Sequence, residues 1–201
     1  MTAVVPAGAE TLRLVALGDS LTAGFGLPQG DGFVPQLQTW LDARGHDVTV
    51  INAGVSGDTT AGGLARIDWT LSDGADAMIV ALGGNDLLRG LPPETVRGNL
   101  DGILAAAEAE GVAVLLAGLP APGNYGPDYK AAFDAIYPDL AETYGALLVT
   151  DFLAGPRTAA ADGTPQTDLV QEDGIHPTAQ GVSLMVEAIG PVVEDLLARA
   201  Q

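Results

Sequence analysis

Short apolar runs alternate with longer amphipathic segments along most of this chain, and this alternation constrains the fold more than any other feature. The runs are bounded by Gly, Pro, Asp or Asn, and most are typical of strands buried on both faces of a sheet. They cover Leu12–Gly18, Val48–Ala53, Ala77–Gly83, Val112–Leu119 and Ala146–Thr150. Strands that alternate with helices favour a parallel α/β sheet with helices on both faces. Because right-handed crossovers leave few topologies, we predict a flavodoxin-like strand order.

The segments between these runs predict helices, and one later segment predicts a loop. The predicted helices are Phe33–Ala43, Pro92–Glu110, Asp128–Tyr144 and Thr178–Arg199. Prolines predict a break or kink at Pro138 in the third of these helices and an interruption near Gly190-Pro191 in the fourth. In contrast, Asp151–Ile175 is rich in Gly, Pro, Thr and Asp, and it predicts a long irregular loop of a kind that is usually functional or mobile.

Length and charge limit the domain count and the classes of partner. A chain of 201 residues fits one domain, so we expect a single domain over residues 1–201, with residues 1–10 as a flexible N-terminus. The sequence has 26 acidic and 8 basic side chains, which gives a formal net charge of −18. Because nucleic acids and anionic membrane surfaces bind through Lys and Arg, this charge disfavours both as partners. The residues make no prediction of oligomeric state.

Cysteine usage and the N-terminus bear on the cellular compartment. The sequence contains no cysteine, which excludes disulfides, thiolate metal sites and a cysteine nucleophile. The apolar runs are too short for a membrane-spanning helix. Ala7-Gly8-Ala9 has the small residues that a signal peptidase prefers, but Met1–Pro6 lacks the basic and apolar regions of a signal peptide. A cytosolic start and a removed signal peptide therefore both stay open.

Small and polar residues follow the apolar runs, at the carboxyl ends of parallel strands where ligands bind. Of the two histidines in the sequence, His46 lies at a predicted helix-to-strand turn, and we interpret it as a solvated loop residue. His176 follows Asp173 by three residues, a spacing at which a carboxylate can hold one imidazole nitrogen while the other acts as a base. The alternative is a helix start in which Asp173 only caps or pairs.

Ser20, which follows the first apolar run by two residues, is the nucleophile that such a base would activate. Its alternative role is that of a helix N-cap. The surrounding residues do not form the Gly-x-Ser-x-Gly elbow of the common α/β-hydrolases. Attack on an ester carbonyl creates an oxyanion, and the candidate donors to it are the Asn85 amide, the Gly57 N–H and the N–H of Ser20. An Asx turn at Asn85 and a tight turn at Gly57 are the structural alternatives.

Four ordered blocks of this sequence resemble those of the SGNH (GDSL) hydrolases. The blocks are Gly18-Asp19-Ser20-Leu21, Gly57, Gly83-x-Asn85-Asp86 and Asp173-x-x-His176-Pro177. Other strings resemble a bacterial branch variously called arylesterase, acyl-CoA thioesterase and lysophospholipase. Those strings are Ser56-Gly57-Asp58-Thr59, Gly63-Leu64-Ala65-Arg66, Asn124-Tyr125-Gly126 and Ala135-Ile136-Tyr137-Pro138. The resemblance implies a three-layer α/β/α fold with a five-stranded parallel sheet.

The resemblance also implies a role for each candidate residue. Ser20 would be the nucleophile, His176 its base and Asp173 the residue that orients the base, whereas Gly57 and Asn85 would complete an oxyanion hole with the Ser20 N–H. No metal or organic cofactor is implied. Members of this branch are typically exported to the periplasm, which favours a periplasmic or secreted protein over a cytoplasmic one.

The implied substrate is a small-molecule ester with an aryl or alkyl group, and thioesters and lysophospholipids are further candidates. One departure from the branch is Pro122-Gly123, inserted where relatives often continue from Leu-Pro-Ala directly into Asn-Tyr-Gly. In the family this loop lines the acyl pocket. The charge of −18 ranks neutral esters above acyl-CoA, unless Arg66, Arg89 or Arg157 lies near the mouth of the site.

Two other functions stay open. A carbohydrate O-deacetylase would use the same residues with a small polar pocket, although the sequence has few aromatic residues for stacking on sugars. We interpret Trp40 and Trp69 as core residues. A non-catalytic receiver-like module could bind a divalent metal through carboxylates. The carboxylates available for such a site are Asp19, Asp86, Asp151 and Asp173.

Overall fold

A five-stranded parallel sheet forms the centre of the protein. The computed structural model describes residues 11–200, so the prediction of a flexible segment over residues 1–10 lies outside the described residues. The strands follow the order β2-β1-β3-β4-β5, which confirms the flavodoxin-like prediction, and all neighbouring pairs are parallel. The strands are β1 (Leu12–Gly18), β2 (Val48–Gly54), β3 (Ala77–Ala81), β4 (Ala113–Ala117) and β5 (Leu147–Val149).

Helices connect these strands and cover both faces of the sheet. They are α1 (Ser20–Ala23), α2 (Phe33–Asp42), α3 (Thr60–Ala65), α4 (Ile67–Leu71), α5 (Gly84–Leu88), α6 (Pro93–Ala109), α7 (Pro127–Asp134), α8 (Ile136–Tyr144), α9 (Ala154–Ala161), α10 (Gln166–Leu169) and α11 (Ala179–Arg199), with a 3-10 turn at Gly123–Tyr125. None of the helices between residues 11 and 200 combines the length and the apolar character that crossing a bilayer requires.

Two hydrophobic cores lie on opposite faces of the sheet. In β1, Leu14 and Ala16 belong to one core and Val15 and Leu17 to the other, because successive side chains alternate across a strand. The first core packs α2 and α11 against the sheet, and the second packs α6 and α8. Both faces are therefore covered, and the three-layer α/β/α arrangement is confirmed.

The prediction of a long irregular loop over Asp151–Ile175 is wrong in part, because this segment contains α9 and α10. These helices have eight and four residues, too few for a clear helical period in the sequence. Tertiary packing stabilises α9, where Gly155 lies so close to the backbone of Leu184 in α11 that a Cβ would overlap it. The irregular part of the segment is limited to its turns and to the residues after Leu169.

One of the two predicted proline effects is confirmed and the other is wrong. The predicted helix Asp128–Tyr144 is divided at Ala135, one turn before Pro138, because proline has no N–H for the Asp134 carbonyl and its ring disfavours a continuous helix there. The last helix, α11, continues through Pro191 without interruption. Proline has no N–H, so the carbonyl of Glu187, one turn before Pro191, loses its usual donor. Both residues are exposed, so water can donate to that carbonyl instead.

The two tryptophans also differ from each other. Trp40 is buried in the first core, as predicted, but Trp69 is 78% exposed, so its assignment to the core is wrong. Trp69 lies on α4, whose buried residues are Ile67 and Leu71. A residue midway between positions i and i+4 faces away from the stripe that they form, which explains the exposure.

Candidate active site

Ser20, His176 and Asp173 form a continuous chain of hydrogen bonds at the carboxyl edge of the sheet. The Ser20 Oγ lies 2.8 Å from His176 Nε2, and His176 Nδ1 lies 2.6 Å from Asp173 Oδ2. Ser20 is the first residue of α1, and Asp19 is its N-cap. The alternative that Ser20 is an N-cap is therefore wrong, because Asp19 makes the capping bond and leaves the serine hydroxyl free for His176.

The loop before α11 determines how Asp173 and His176 meet. Asp173 Oδ1 accepts hydrogen bonds from the N–H groups of Ile175 (2.9 Å) and His176 (3.0 Å), while Oδ2 bonds the imidazole. The backbone bond from His176, then its side-chain bond, lower the pKa of Asp173 from 3.8 to about 2. The carboxyl group therefore stays ionised and oriented towards Nδ1 at any pH near neutrality.

Neighbouring residues fix this loop against the protein. The N–H of Gln171 donates to the carbonyl of His176 at 2.8 Å, and a bridge pairs Val170 with Pro177. The Phe25 ring lies 4.6 Å from the imidazole, centroid to centroid. The contacts leave Nε2 aimed at Ser20 and limit rotation of the ring.

Three hydrogen-bond donors suited to hold an oxyanion line the cavity: the N–H groups of Ser20 and Gly57 and the side-chain amide of Asn85. Gly57, in the turn after β2, has φ +82°, a conformation that favours glycine. Neither the Gly57 N–H nor the Ser20 N–H has a backbone or side-chain acceptor within residues 11–200. Asn85 lies in α5, and its Nδ2 donates to the Asp58 carbonyl at 2.9 Å and to Asp19 Oδ2 at 3.3 Å. The second bond is long, so one amide hydrogen of Asn85 is weakly held.

The sequence predicts Asp19 only as a member of a motif and as a carboxylate for a metal, and its role as a buried N-cap beside Ser20 was missed. Its side chain is 3% exposed, accepts from the Leu21 N–H at 3.0 Å and bonds Asn85. Burial raises the pKa of Asp19 from 3.8 to about 6, against the lowering effect of these bonds and of His176. The signal that could have revealed it is a carboxylate directly before a short helix at a strand end, which is typical of a buried N-cap.

Arg66 and Asp58 join the ends of β1 and β2 beneath the site. Arg66 Nε pairs with Asp58 Oδ2 at 2.8 Å, and its two terminal nitrogens donate to the carbonyls of Ala53 (2.9 Å) and Gly18 (3.0 Å). Gly18 ends β1, directly before Asp19 and Ser20. The turn that contains Gly57, after β2, is held separately, by a hydrogen bond from Arg89 to the Gly57 carbonyl at 2.9 Å.

A cavity of about 720 Å³ opens beside Ser20, and its lining is mostly apolar. The lining residues are Asp19, Ser20, Leu21, Phe25, Ser56, Gly57, Gly84, Asn85, Leu87, Leu88, Leu119, Pro120, Ala121, Pro122, Asn124, Tyr125, Leu153, Arg157, Ile175 and His176. Arg157 is bound to Asp151 at 2.6 Å. A cavity of this size and character suits an aliphatic or aromatic ligand with one polar group near Ser20.

Other candidates from the sequence lie apart or do not gather. His46 is far from Ser20 in the fold and pairs with Glu194, Nε2 to Oε1, at 2.8 Å. The carboxylates considered for a divalent metal do not converge, since residues 11–200 contain no group of three or more His, Cys, Asp or Glu that could hold a metal ion. Asp86, one of them, is fully buried and accepts from the N–H and hydroxyl of Thr60.

Comparison with known proteins places the chain in a family. The sequence model of the GDSL-like Lipase/Acylhydrolase family matches residues 16–184. The chain belongs to this family. Esterase TesA of Pseudomonas aeruginosa is 41% identical to this GDSL hydrolase over 192 residues, which cover 95% of this chain and 91% of that protein. An arylesterase of Vibrio mimicus is 35% identical over 178 residues, which cover 88% of this chain and 86% of the arylesterase.

The third relative is the Escherichia coli K12 protein named thioesterase 1/protease 1/lysophospholipase L1, 33% identical over 95% of this chain and 86% of its own. Among solved structures, TesA superposes with a TM-score of 0.81 at 38% identity, covering 92% of this chain and 99% of that one. The SGNH-hydrolase family esterase AlinE4 gives 0.75 at 45% identity, covering 95% and 99%. This GDSL hydrolase therefore has the SGNH hydrolase fold and is a carboxylic ester hydrolase.

Proposed function

We propose that the protein hydrolyses aryl and alkyl carboxylic esters through an acyl-enzyme on Ser20. The observation that carries this proposal is the bonded chain from Ser20 Oγ through His176 to Asp173, which opens onto an apolar cavity. A serine hydroxyl needs a base to become nucleophilic, and His176 Nε2 lies within hydrogen-bond distance of it. Asp173 would hold the tautomer and stabilise the imidazolium.

The reaction follows from these positions. His176 Nε2 takes the Ser20 proton as Oγ attacks the ester carbonyl, and the resulting oxyanion accepts from the N–H groups of Ser20 and Gly57 and from Asn85 Nδ2. The amide hydrogen of Asn85 that makes the long bond to Asp19 is the one that the oxyanion accepts. His176 then protonates the departing alcohol. A water molecule, deprotonated by His176, attacks the acyl-enzyme and releases the carboxylic acid and free Ser20.

The test of the nucleophile compares two serines of the same cavity. Ser20→Ala is expected to lower kcat on p-nitrophenyl acetate by about 10⁶-fold, to near the detection limit. Ser56→Ala is the matched control, since Ser56 also lines the cavity but makes no hydrogen bond to His176 among residues 11–200. A fluorophosphonate probe should label the peptide that contains residue 20 in wild type and in Ser56→Ala, but not in Ser20→Ala. Near wild-type activity in Ser20→Ala would reject the proposal.

Neutral esters are proposed to be better substrates than acyl-CoA. Three arginines could have offset the charge of −18. Arg157 lines the cavity, but it and Arg66 are each paired with a carboxylate, Asp151 and Asp58 respectively. Of the three, only Arg89, whose acceptor is the neutral Gly57 carbonyl, keeps an uncompensated positive charge near the site, and one such charge does not offset the net charge of −18. At low ionic strength, kcat/KM for a neutral ester should exceed that for the acyl-CoA of the same chain. Equal or greater activity on acyl-CoA contradicts this ranking. The mostly apolar cavity also favours an aryl or alkyl ester over an acetylated sugar.

The proposed location is periplasmic or secreted, with the cytoplasm as the alternative. Support comes from the resemblance of the motifs around Gly57 and Tyr125 to the exported branch of the family. Expression of the complete gene product in its own cells, followed by osmotic-shock fractionation, tests it. Activity that stays with the spheroplast fraction would contradict the proposal.

A further inference from the structure

The loop Leu119–Ala121 forms a wall between two cavities. On one side lies the active-site cavity of about 720 Å³, and on the other a second cavity of about 320 Å³. Leu119 and Pro120 line both. The second cavity is completed by Asp134, Tyr137, Pro138, Thr150 and Asp151. The wall therefore has space behind it into which it could move.

One ion pair holds both backbone groups of Ala121 in this wall. Lys130 Nζ donates to the Ala121 carbonyl at 2.6 Å, and the Ala121 N–H donates to Asp134 Oδ1 at 2.7 Å. Lys130 and Asp134 also pair with each other across one turn of α7, Nζ to Oδ2, at 2.7 Å. The result is a closed arrangement of three bonds that fixes the position and direction of one peptide segment.

Apart from the packing of Ala121 in the second core and of Leu119 against the first, few other contacts hold this part of the loop. Before it, the Gly118 N–H donates to the Val149 carbonyl, and after it the Tyr125 hydroxyl lies 3.3 Å from the Leu88 carbonyl. Within the described part of the chain, the backbone of residues 119–122 makes no hydrogen bonds besides those to Lys130 and Asp134. The inserted Pro122-Gly123 follows directly, and proline has no N–H to donate.

We propose that the Lys130–Asp134 pair determines the chain-length specificity of the enzyme by holding the Leu119–Ala121 wall in place. The inference rests on the proposed ester hydrolysis at Ser20. With the pair intact, the wall limits the length of substrate chain that the active-site cavity accepts. Without it, Leu119 and Pro120 can move into the second cavity, so the site accommodates a longer chain. An acetate ester needs little of the cavity and serves as the reference substrate.

The test is a chain-length profile of Lys130→Met. Methionine retains an apolar stem but loses the bonds to Ala121 and Asp134. The ratio of kcat/KM for p-nitrophenyl dodecanoate to that for the acetate is expected to rise about tenfold, because each methylene in a hydrophobic pocket is worth about that factor. Arg97→Met is the matched control, since it breaks an exposed ion pair with Asp139 away from the wall. Lys130→Arg, which can restore the pair, should keep the wild-type ratio.

A second measurement does not depend on the folding of Lys130→Met. Lys130 is the only lysine in the sequence, and its side chain is 42% exposed, so trinitrobenzenesulfonate can modify it in the folded wild-type protein. The same treatment of Lys130→Arg reaches only the N-terminal amine. A rise in the dodecanoate-to-acetate ratio in treated wild type alone supports the proposal. An unchanged ratio in treated wild type or in folded Lys130→Met overturns it, whereas wild type inactive on both esters overturns the proposed function itself.

Discussion

Replacing Asp19 with asparagine is expected to change the pH dependence of stability and to lower esterase activity. The carboxyl group is almost fully buried beside the proposed nucleophile, and burial raises its pKa from 3.8 to about 6. The folded protein therefore keeps this proton up to about pH 6, whereas the unfolded chain releases it near pH 3.8. Because the folded-state pKa is the higher one, the wild-type free energy of unfolding falls across this window as pH rises.

The size of this fall follows from the difference between the two pKa values. Each pH unit of difference corresponds to about 1.4 kcal/mol, so ionisation of Asp19 costs the folded state about 3 kcal/mol by pH 6. Asparagine does not ionise and lacks this cost. It has a single acceptor oxygen, however, and cannot accept from both the Leu21 N–H and Asn85, a loss of about 1 kcal/mol at every pH.

Urea unfolding at a series of pH values measures the effect. The stability of Asp19→Asn relative to wild type should rise by about 3 kcal/mol between pH 3.8 and about 6 and then stay level. Asp73→Asn, at an exposed turn, controls for the loss of one negative charge. Activity on p-nitrophenyl acetate at pH 7 should fall, because Asn85 loses its second acceptor and its proposed orientation. A relative stability that does not change with pH would refute this reasoning.

Three further outcomes are expected. Asp173→Asn should lower kcat by about 10⁴-fold, because an amide cannot both accept from the two N–H groups and hold the His176 tautomer; steady-state kinetics on p-nitrophenyl acetate measure this, and a loss below tenfold contradicts it. Asn85→Ala should lower kcat by about 10²–10³-fold with little change in KM, as expected for a donor to an oxyanion, and an effect confined to KM speaks against that role. Gly62→Ala should destabilise the fold by about 1–3 kcal/mol in urea, since a Cβ there overlaps the Asp58 carboxylate; unchanged stability would show that the carboxylate moves freely.

The sheet could be predicted from the sequence because its strands are encoded locally. A run such as Ala77–Ala81 is apolar at every position, and a strand buried on both faces requires that composition. The edge at which Ser20, Asn85 and His176 gather could be predicted for the same reason, since it follows from where parallel strands end. The proposed roles of these side chains stay predictions until the variants are measured.

The features that the sequence did not reveal depend on tertiary contacts. The pKa of Asp19 comes mainly from burial, and burial at position 19 is created by elements distant in the chain. The helix α9 is short and depends on its packing against α11. The wall at Ala121 is held by Lys130 and Asp134, which by sequence alone are an ordinary pair on a helix surface.

The two hydrogen bonds of the proposed triad differ greatly in sequence range. Asp173 and His176 are three positions apart on one loop, whereas Ser20 and His176 are 156 positions apart. Asp173 and His176 can thus keep their mutual geometry while the loop separates from the rest of the protein, whereas the proposed activation of Ser20 requires the docked loop. In the proposed mechanism, turnover therefore depends on one tertiary contact, between Ser20 and His176. Segments of a protein can open at a lower free energy than global unfolding requires. Esterase activity is therefore expected to fall when the loop undocks, before the sheet unfolds.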